Sequence, residues 1–340
     1  MMMVDKSPSP SRYIEDLLAG QMRARSLAIA HRLGLFAALA DRTCEVTELS
    51  NTLGVHVTGL RKLLATLETM ELVGRSGDGY ELTEIARHSL IGRNAQSFGE
   101  FVDFFTDQFE SKPISLLLNH LRIGGPVRPA TTPDQWRHYM AAMDRMAHLS
   151  ADRIAQAMQL DRDQTLLDLG GGPGLYAIAA CNRYPHVNAT ILDLDDALHF
   201  AHQNISDARL ADRIRLRPGS VTDGSYGGPY DVILLSHTIH LFDERTVQRI
   251  FSACHTALGV DGRLVVRDLF TDGGRTQPAL GSLVAFHMWN EGDAYSVPQT
   301  TGLLVNAGFQ PPRHVQFRDE QDPEILGSLL ISRKTDSTST

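Results

Sequence analysis

The sequence is short of cysteine, of positive charge and of long apolar runs, and each shortage removes a class of protein. Cys44, Cys181 and Cys254 are odd in number and scattered, with no paired spacing that would make a zinc site or a disulfide framework. A reducing cytoplasm is the expected compartment. The formal net charge of -8 leaves no surplus of Lys and Arg to release counterions from a polyanion, so no nucleic-acid partner is expected and a small-molecule ligand is. No stretch approaches the roughly 20 apolar residues of a membrane helix. The polar start, Met1 to Ser11, carries Pro8 and Pro10 and lacks the apolar core of a signal peptide. No membrane association is expected. What is present is 340 residues, 42% of them hydrophobic, enough for two domains with separate cores.

From Tyr13 to about Leu39 the apolar spacing predicts helix, broken near Gly34. Two short helical patterns flank Gly54. In the second, Leu60, Leu63, Leu64 and Leu67 form one stripe, and Thr58 is the expected cap. Leu72 to Arg75 and Tyr80 to Thr83, around Ser76-Gly77-Asp78-Gly79, read as a hairpin. Two helices and a hairpin make a winged helix, which raises DNA binding. Between residues 1 and 95, however, eleven basic residues are matched by eleven acidic ones, so the electrostatic footprint of a duplex reader is missing and a packing or dimerisation role is expected instead. Residues 96–160 read as a helical linker. Its clusters Phe101, Phe104, Phe105, Phe109 and Met140, Met143, Met146 are either core or pocket wall. From Thr165 strands and helices alternate, the mark of a mostly parallel sheet covered on both faces. The domain expected there spans 161–334, with 335–340 a disordered tail.

The run Thr165–Leu169 leads into Gly170-Gly171-Gly172-Pro173-Gly174 and then a helical stretch from Leu175. Glycines at a strand end let the backbone approach a ligand and aim helix N-terminal amides at it. A dinucleotide fingerprint needs glycine or alanine where Leu175 stands, so NAD or FAD is the weaker reading. The second strand, Asn188 to Leu192, ends at Asp193, an acid placed to accept bonds from ribose hydroxyls.

Two further strand ends carry proton chemistry. Asp231 to Leu235 runs into Ser236-His237-Thr238-Ile239-His240-Leu241-Phe242-Asp243, and Arg263 to Val266 runs into Arg267-Asp268. Asp268 can come alongside a histidine from the neighbouring strand. A carboxylate on one ring nitrogen leaves the other free to accept a proton and stabilises the imidazolium that results. His237 reads as a packing residue.

With the segments LLDLGGGPG, ATILDLD, RLRPGS, LLSHTIHLFDE, DGRLVVRDLF and LLVNAGF in place, nearly the whole chain resembles the class I methyltransferases. Within them it resembles the winged-helix O-methyltransferases of the plant caffeate and bacterial polyketide type. The resemblance implies an α/β Rossmann-like methyltransferase domain, with a mostly parallel sheet, preceded by a mostly α winged-helix dimerisation domain. It implies S-adenosylmethionine as cofactor, S-adenosylhomocysteine as product, and a homodimer. Gly170 and Asp193 would meet the methionine part and the ribose, with Asp168, Gly172, Gly174 and Leu194 completing that wall. Ser220 and Val221 would meet the adenine, Ser220 standing where the family usually has an acid, and Ser236 the sulfonium side. His240 would be the general base, Asp268 its orienting partner. Phe105, Met143 and Met146 would line the acceptor pocket together with Phe286, His287 and Trp289 from an expected helix Leu280 to Asn290. The expected reaction is transfer of the methyl group, without a metal, to a hydroxyl of a small aromatic, phenolic or polyketide-like, specialised metabolite. Two rivals are N- or C-methylation, or a non-methylating reaction, on the same fold, and a cofactor-sensing DNA-binding regulator.

Overall fold

A computed structural model describes residues 10–91, 98–111, 114–123, 132–162, 165–268, 270–271, 292–317 and 328–335. The chain divides into two compact units, 1–110 and 111–340.

In the first unit, α1 (Pro10–Arg32) stops before Gly34, whose φ of +72° turns the chain into α2 (Leu35–Ala38). Next come α3 (Val46–Leu53) and α4 (Val57–Thr69). Leu60, Leu64 and Leu67 of α4 are buried against Leu35, Phe36 and Leu49, as the stripe predicts, while Leu63 is only partly buried. The cap differs from expectation. The helix begins at Val57, so His56 is the capping residue, its Nδ1 accepting from the Thr58 amide at 3.3 Å. Strands β1 (Val73–Ser76) and β2 (Gly79–Leu82) pair antiparallel around Gly77-Asp78 and complete the wing. Then come α5 (Glu84–Leu90) and α6 (Gly99–Ser111). On α6, Asp103 and Asp107 bond His31 (3.2 Å) and Arg32 (2.9 Å) of α1. The expected linker is therefore divided, α6 belonging to the first unit and α7 (Ile114–Ile123) and α8 (Pro133–Met158) to the second.

The second unit is built on a seven-stranded sheet. Its strands are β3 (Thr165–Leu169), β4 (Asn188–Asp193), β5 (Ile214–Pro218), β6 (Tyr230–Ser236), β7 (Leu258–Asp268), β8 (Arg313–Gln316) and β9 (Ser328–Arg333), in the order β5-β4-β3-β6-β7-β9-β8. The first five strands in that order run parallel, while β9 lies antiparallel to both β7 and β8. Alternation along each strand sorts the core into two layers. Leu166, Ile191, Val232, Leu234 and Val265 pack under α8, α9 (Leu175–Arg183) and α10 (Asp195–Asp207). Leu167, Leu169, Ile233, Leu235 and Val266 pack under α11 (Glu244–Ala257) and α12 (Val297–Asn306). Strand order reverses between β3 and β6, the switch point where open α/β sheets bind ligands. Among the described residues no helix is long and apolar enough to cross a membrane.

Candidate active site

At that switch point, beyond the carboxyl ends of β3, β4 and β6, lies a cavity of about 550 Å³. One wall is the glycine loop, Gly170 to Pro173, which leaves β3 with Gly170 at φ +73° and Gly172 at +52°. These backbone angles exclude ordinary side chains without strain. A Cβ on Gly170 would come within 3.1 Å of Thr238 Oγ1 and 3.2 Å of Val221 Cγ2, so this residue is also small for want of room. Gly172 has only Met140 Cε near, at 3.8 Å, and faces the open cavity. Gly174 opens α9 at φ +82°, against Ile191, and is not part of the wall.

A second wall comes from the end of β4. Asp193 accepts from the Gly172 amide (2.8 Å) and the Leu194 amide (2.7 Å), tying the acid to the glycine loop across strands. Burial raises its pKa against the pull of those two amides. Leu194, Ser220, Val221 and Ser236 also line the cavity. Ser220 Oγ lies 2.8 Å from Thr222 Oγ1 and accepts from the Thr222 amide at 3.2 Å. The nearby acid Asp223 is turned back on the Ser220 amide (2.7 Å). Asp168 is absent from the wall. It lies 1% exposed behind the loop, neither oxygen completing a hydrogen bond among the described residues, and its pKa is pushed up to about 7 by burial, with the Ala177 amide opposing and Asp193 adding.

Met143 and Met146 of α8 stand in the wall together with Trp136, Tyr139 and Met140. Phe105 belongs to the first unit, where it is 41% exposed and packs edge-on to Phe104. Phe286, His287 and Trp289 lie outside the described residues.

After β6 the chain passes through a short 3-10 turn, Ile239–Leu241. The turn is pinned by Asp268, one of whose oxygens accepts from the amides of Ile239 (3.1 Å) and His240 (3.4 Å). The other meets His240 Nδ1 at 2.7 Å. Burial pushes the His240 pKa down, but the charge and hydrogen bond of Asp268 outweigh it and the net shift is upward. Asp268 is 2% exposed. Neither His240 nor Asp268 is among the residues lining the cavity; those close to His240 in the chain, His237 and Thr238 before it and Leu241 and Phe242 after it, are.

His237 follows the same strand end, and its sequence reading is a packing role. It lines the cavity at φ +51°, its ring edge-on to His240 with centroids 6.1 Å apart and its Nε2 buried with no hydrogen-bond partner among the described residues. Burial first and the charge of Arg267 second keep it neutral, against the pull of Asp268. One nitrogen of each histidine and one Asp268 oxygen lie within 4.8 Å of each other, a donor set that could also hold a divalent ion.

Residues 15–91 match the model of the O-methyltransferase dimerisation domain, and residues 127–310, more than half of the chain, match that of the O-methyltransferase domain. The chain belongs to the O-methyltransferase family. Among its curated relatives is 3-hydroxy-5-methyl-1-naphthoate 3-O-methyltransferase of Streptomyces sahachiroi, 25% identical over 89% of this chain and 91% of the relative. Another is the phenazine-1-carboxylate N-methyltransferase of Pseudomonas aeruginosa, 24% identical over 90% and 94%. Human N-acetylserotonin methyltransferase, solved in complex with S-adenosylmethionine, shares the fold at a TM-score of 0.83 and 19% identity, over 98% of this chain and all of that one. This methyltransferase is thus an S-adenosylmethionine-dependent enzyme, and its cavity suits that cofactor. A Cβ on Gly170 would crowd Thr238 and Val221, Gly172 leaves the cavity open, and Asp193 puts a carboxylate able to accept from hydroxyls into its wall at the end of β4.

Proposed function

We propose that this O-methyltransferase methylates a hydroxyl group of a small aromatic specialised metabolite, with His240 as general base and Asp268 as its orienting partner. The observation that carries the reading is the 2.7 Å bond from His240 Nδ1 to a fully buried carboxylate. S-adenosylmethionine supplies an electrophilic methyl group when bound. The protein must hold the acceptor oxygen in line with that methyl and take away its proton. A phenol with a pKa near 10 is mostly un-ionised at neutral pH, so a positioned base is useful. With Nδ1 committed to Asp268, Nε2 of His240 is left as the acceptor for the phenol proton, and the carboxylate stabilises the imidazolium formed. Trp136, Tyr139 and the methionines of α8 give the cavity the apolar, adaptable wall that suits a flat ring. The naphthoate specificity in the name of the Streptomyces relative points the same way.

The first unit serves a homodimer. Its α1 exposes Tyr13, Ile14, Leu17, Leu18 and Met22, each by more than half, and its acidic residues outnumber its basic ones, which disfavours nucleic acid. N-methylation is the second reading, favoured by the phenazine relative. Amine nitrogens with a free lone pair need no base before attack, so this reading makes His240 dispensable. The deciding experiment screens phenols and aromatic amines with radiolabelled S-adenosylmethionine, using wild type and His240→Ala. Phenol methylation that collapses in the variant supports the proposal. Amine methylation that survives it rejects the proposal.

A further inference from the structure

Arg267, 0% exposed, is a fully buried cation at the end of β7. A guanidinium only donates. Its Nη1 donates to Tyr176 Oη at 2.7 Å and to Ser236 Oγ at 3.3 Å, with Cζ 5.5 Å from the centre of the Tyr176 ring. Each hydroxyl that accepts from the guanidinium must spend its own proton elsewhere. Ser150 Oγ donates to the Met146 carbonyl (3.1 Å), so its contact with Tyr176 Oη (3.1 Å) is one in which tyrosine donates. The run from Arg267 through Tyr176 and Ser150 to Met146 therefore has a fixed direction. Ser236 ends the other branch. Among the described residues nothing accepts from its hydroxyl, and Ser236 is one of the residues that line the cavity.

We propose that Arg267 is a positioning residue for the cofactor's carboxylate: it fixes Ser236 as a donor facing the cavity and places positive charge behind that wall. This rests on the cofactor reading above. The sulfonium and ammonium groups of S-adenosylmethionine are cations, and its ribose and adenine are neutral. The carboxylate is the one anion that a charge-backed donor suits. A carboxylate on the aromatic acceptor has the same chemistry, and the experiment separates the two sources.

Calorimetry is run on wild type, Arg267→Met and Ser236→Ala, titrated without acceptor with S-adenosylhomocysteine and with its decarboxylated analogue. Wild type should bind the analogue at least tenfold more weakly. Each variant should lose about tenfold for S-adenosylhomocysteine and stay within twofold of wild type for the analogue. An equal loss for both ligands would mean that Arg267 only packs the core, and no loss for either would mean that its charge is not read; both overturn the proposal. So would intact S-adenosylhomocysteine binding with a raised KM confined to carboxylated acceptors. Should Arg267→Met fail to fold, Ser236→Ala leaves the buried cation in place and decides the question. Wild type that binds neither ligand would overturn the cofactor reading itself, a failure distinct from loss of selectivity in the variants.

Discussion

His240 and Asp268 owe their pairing to neighbouring strand ends that share a register, and their roles separate in experiment. His240→Ala should leave cofactor affinity near wild type, because that wall is built by Gly170, Gly172 and Asp193, while turnover of a phenol falls about a hundredfold or more. Asp268→Asn should cost less. The base works when neutral, so kcat/KM rises with pH through the His240 pKa, which Asp268 holds above its ordinary value. Removing the carboxylate lets burial dominate, so the acid limb of the profile should move to lower pH. A limb that stays in place would detach His240 from the proton transfer. Asp168 gives a second titration. Its carboxyl, pushed up to about 7, is largely protonated below neutrality and ionises as the pH rises. A cationic cofactor binds better beside the ionised form, so its affinity should increase from pH 6 to pH 8 with release of a proton, and Asp168→Asn should flatten the curve. Isothermal calorimetry in buffers of different ionisation enthalpy measures both effects. Asp193, His240 and Asp268 were legible because motif and strand end coincide. Arg267 and His237 were not. The Tyr176 hydroxyl that Arg267 bonds is 91 residues away, and a left-handed φ at His237 leaves no mark in residue type.

At the level of elements, the glycine loop is the part that sequence pattern specified best, because strand, glycines and helix start each have a distinct composition. Gly172→Val tests it. The substitution places a branched side chain at φ +52° in the cavity where the ligand must lie, so the folded variant should lose most of its S-adenosylmethionine binding. Undiminished affinity by calorimetry, with an unchanged circular dichroism spectrum, would count against the site. Gly174→Ala should instead act on stability, costing about 1–3 kcal/mol by thermal or urea unfolding, because φ +82° and a 2.7 Å approach to Ile191 both oppose a methyl group there. The winged helix was equally legible, its stripe and hairpin falling within a residue or two of their expected places. The antiparallel β8 and β9 were not. A short strand that pairs with partners far along the chain has the same local pattern in either direction, and direction is set by the connections rather than by side chains.

For the whole molecule, the exposed apolar side of α1 and the match to a dimerisation domain predict a dimer by light scattering at micromolar concentration. Leu17→Glu together with Leu18→Glu should give a monomer, since each charge would be buried in the interface. A dimer that persists in the double variant would place the interface elsewhere. A gel shift on mixed duplexes should show no band from DNA binding at physiological salt, as the cancelled charges of the first 95 residues require.

The place of β9 within the sheet also sets a schedule. The last strand among the described residues, β9, is wedged between β7 and β8. During synthesis β3 to β7 can pair in order as they emerge, but β7 keeps a bare edge and β8 has no neighbour until residue 333 is free of the ribosome. The parallel half of the sheet can therefore form before β9 has been made, whereas the antiparallel edge waits until β9 has emerged. Pulse-labelled hydrogen exchange on stalled nascent chains should find the amides of β3 and β4 protected before those of β7. A ribosome-bound chain would hold a formed glycine loop with an unfinished sheet beside it, a window in which an exposed strand edge is open to chaperones or to another nascent copy.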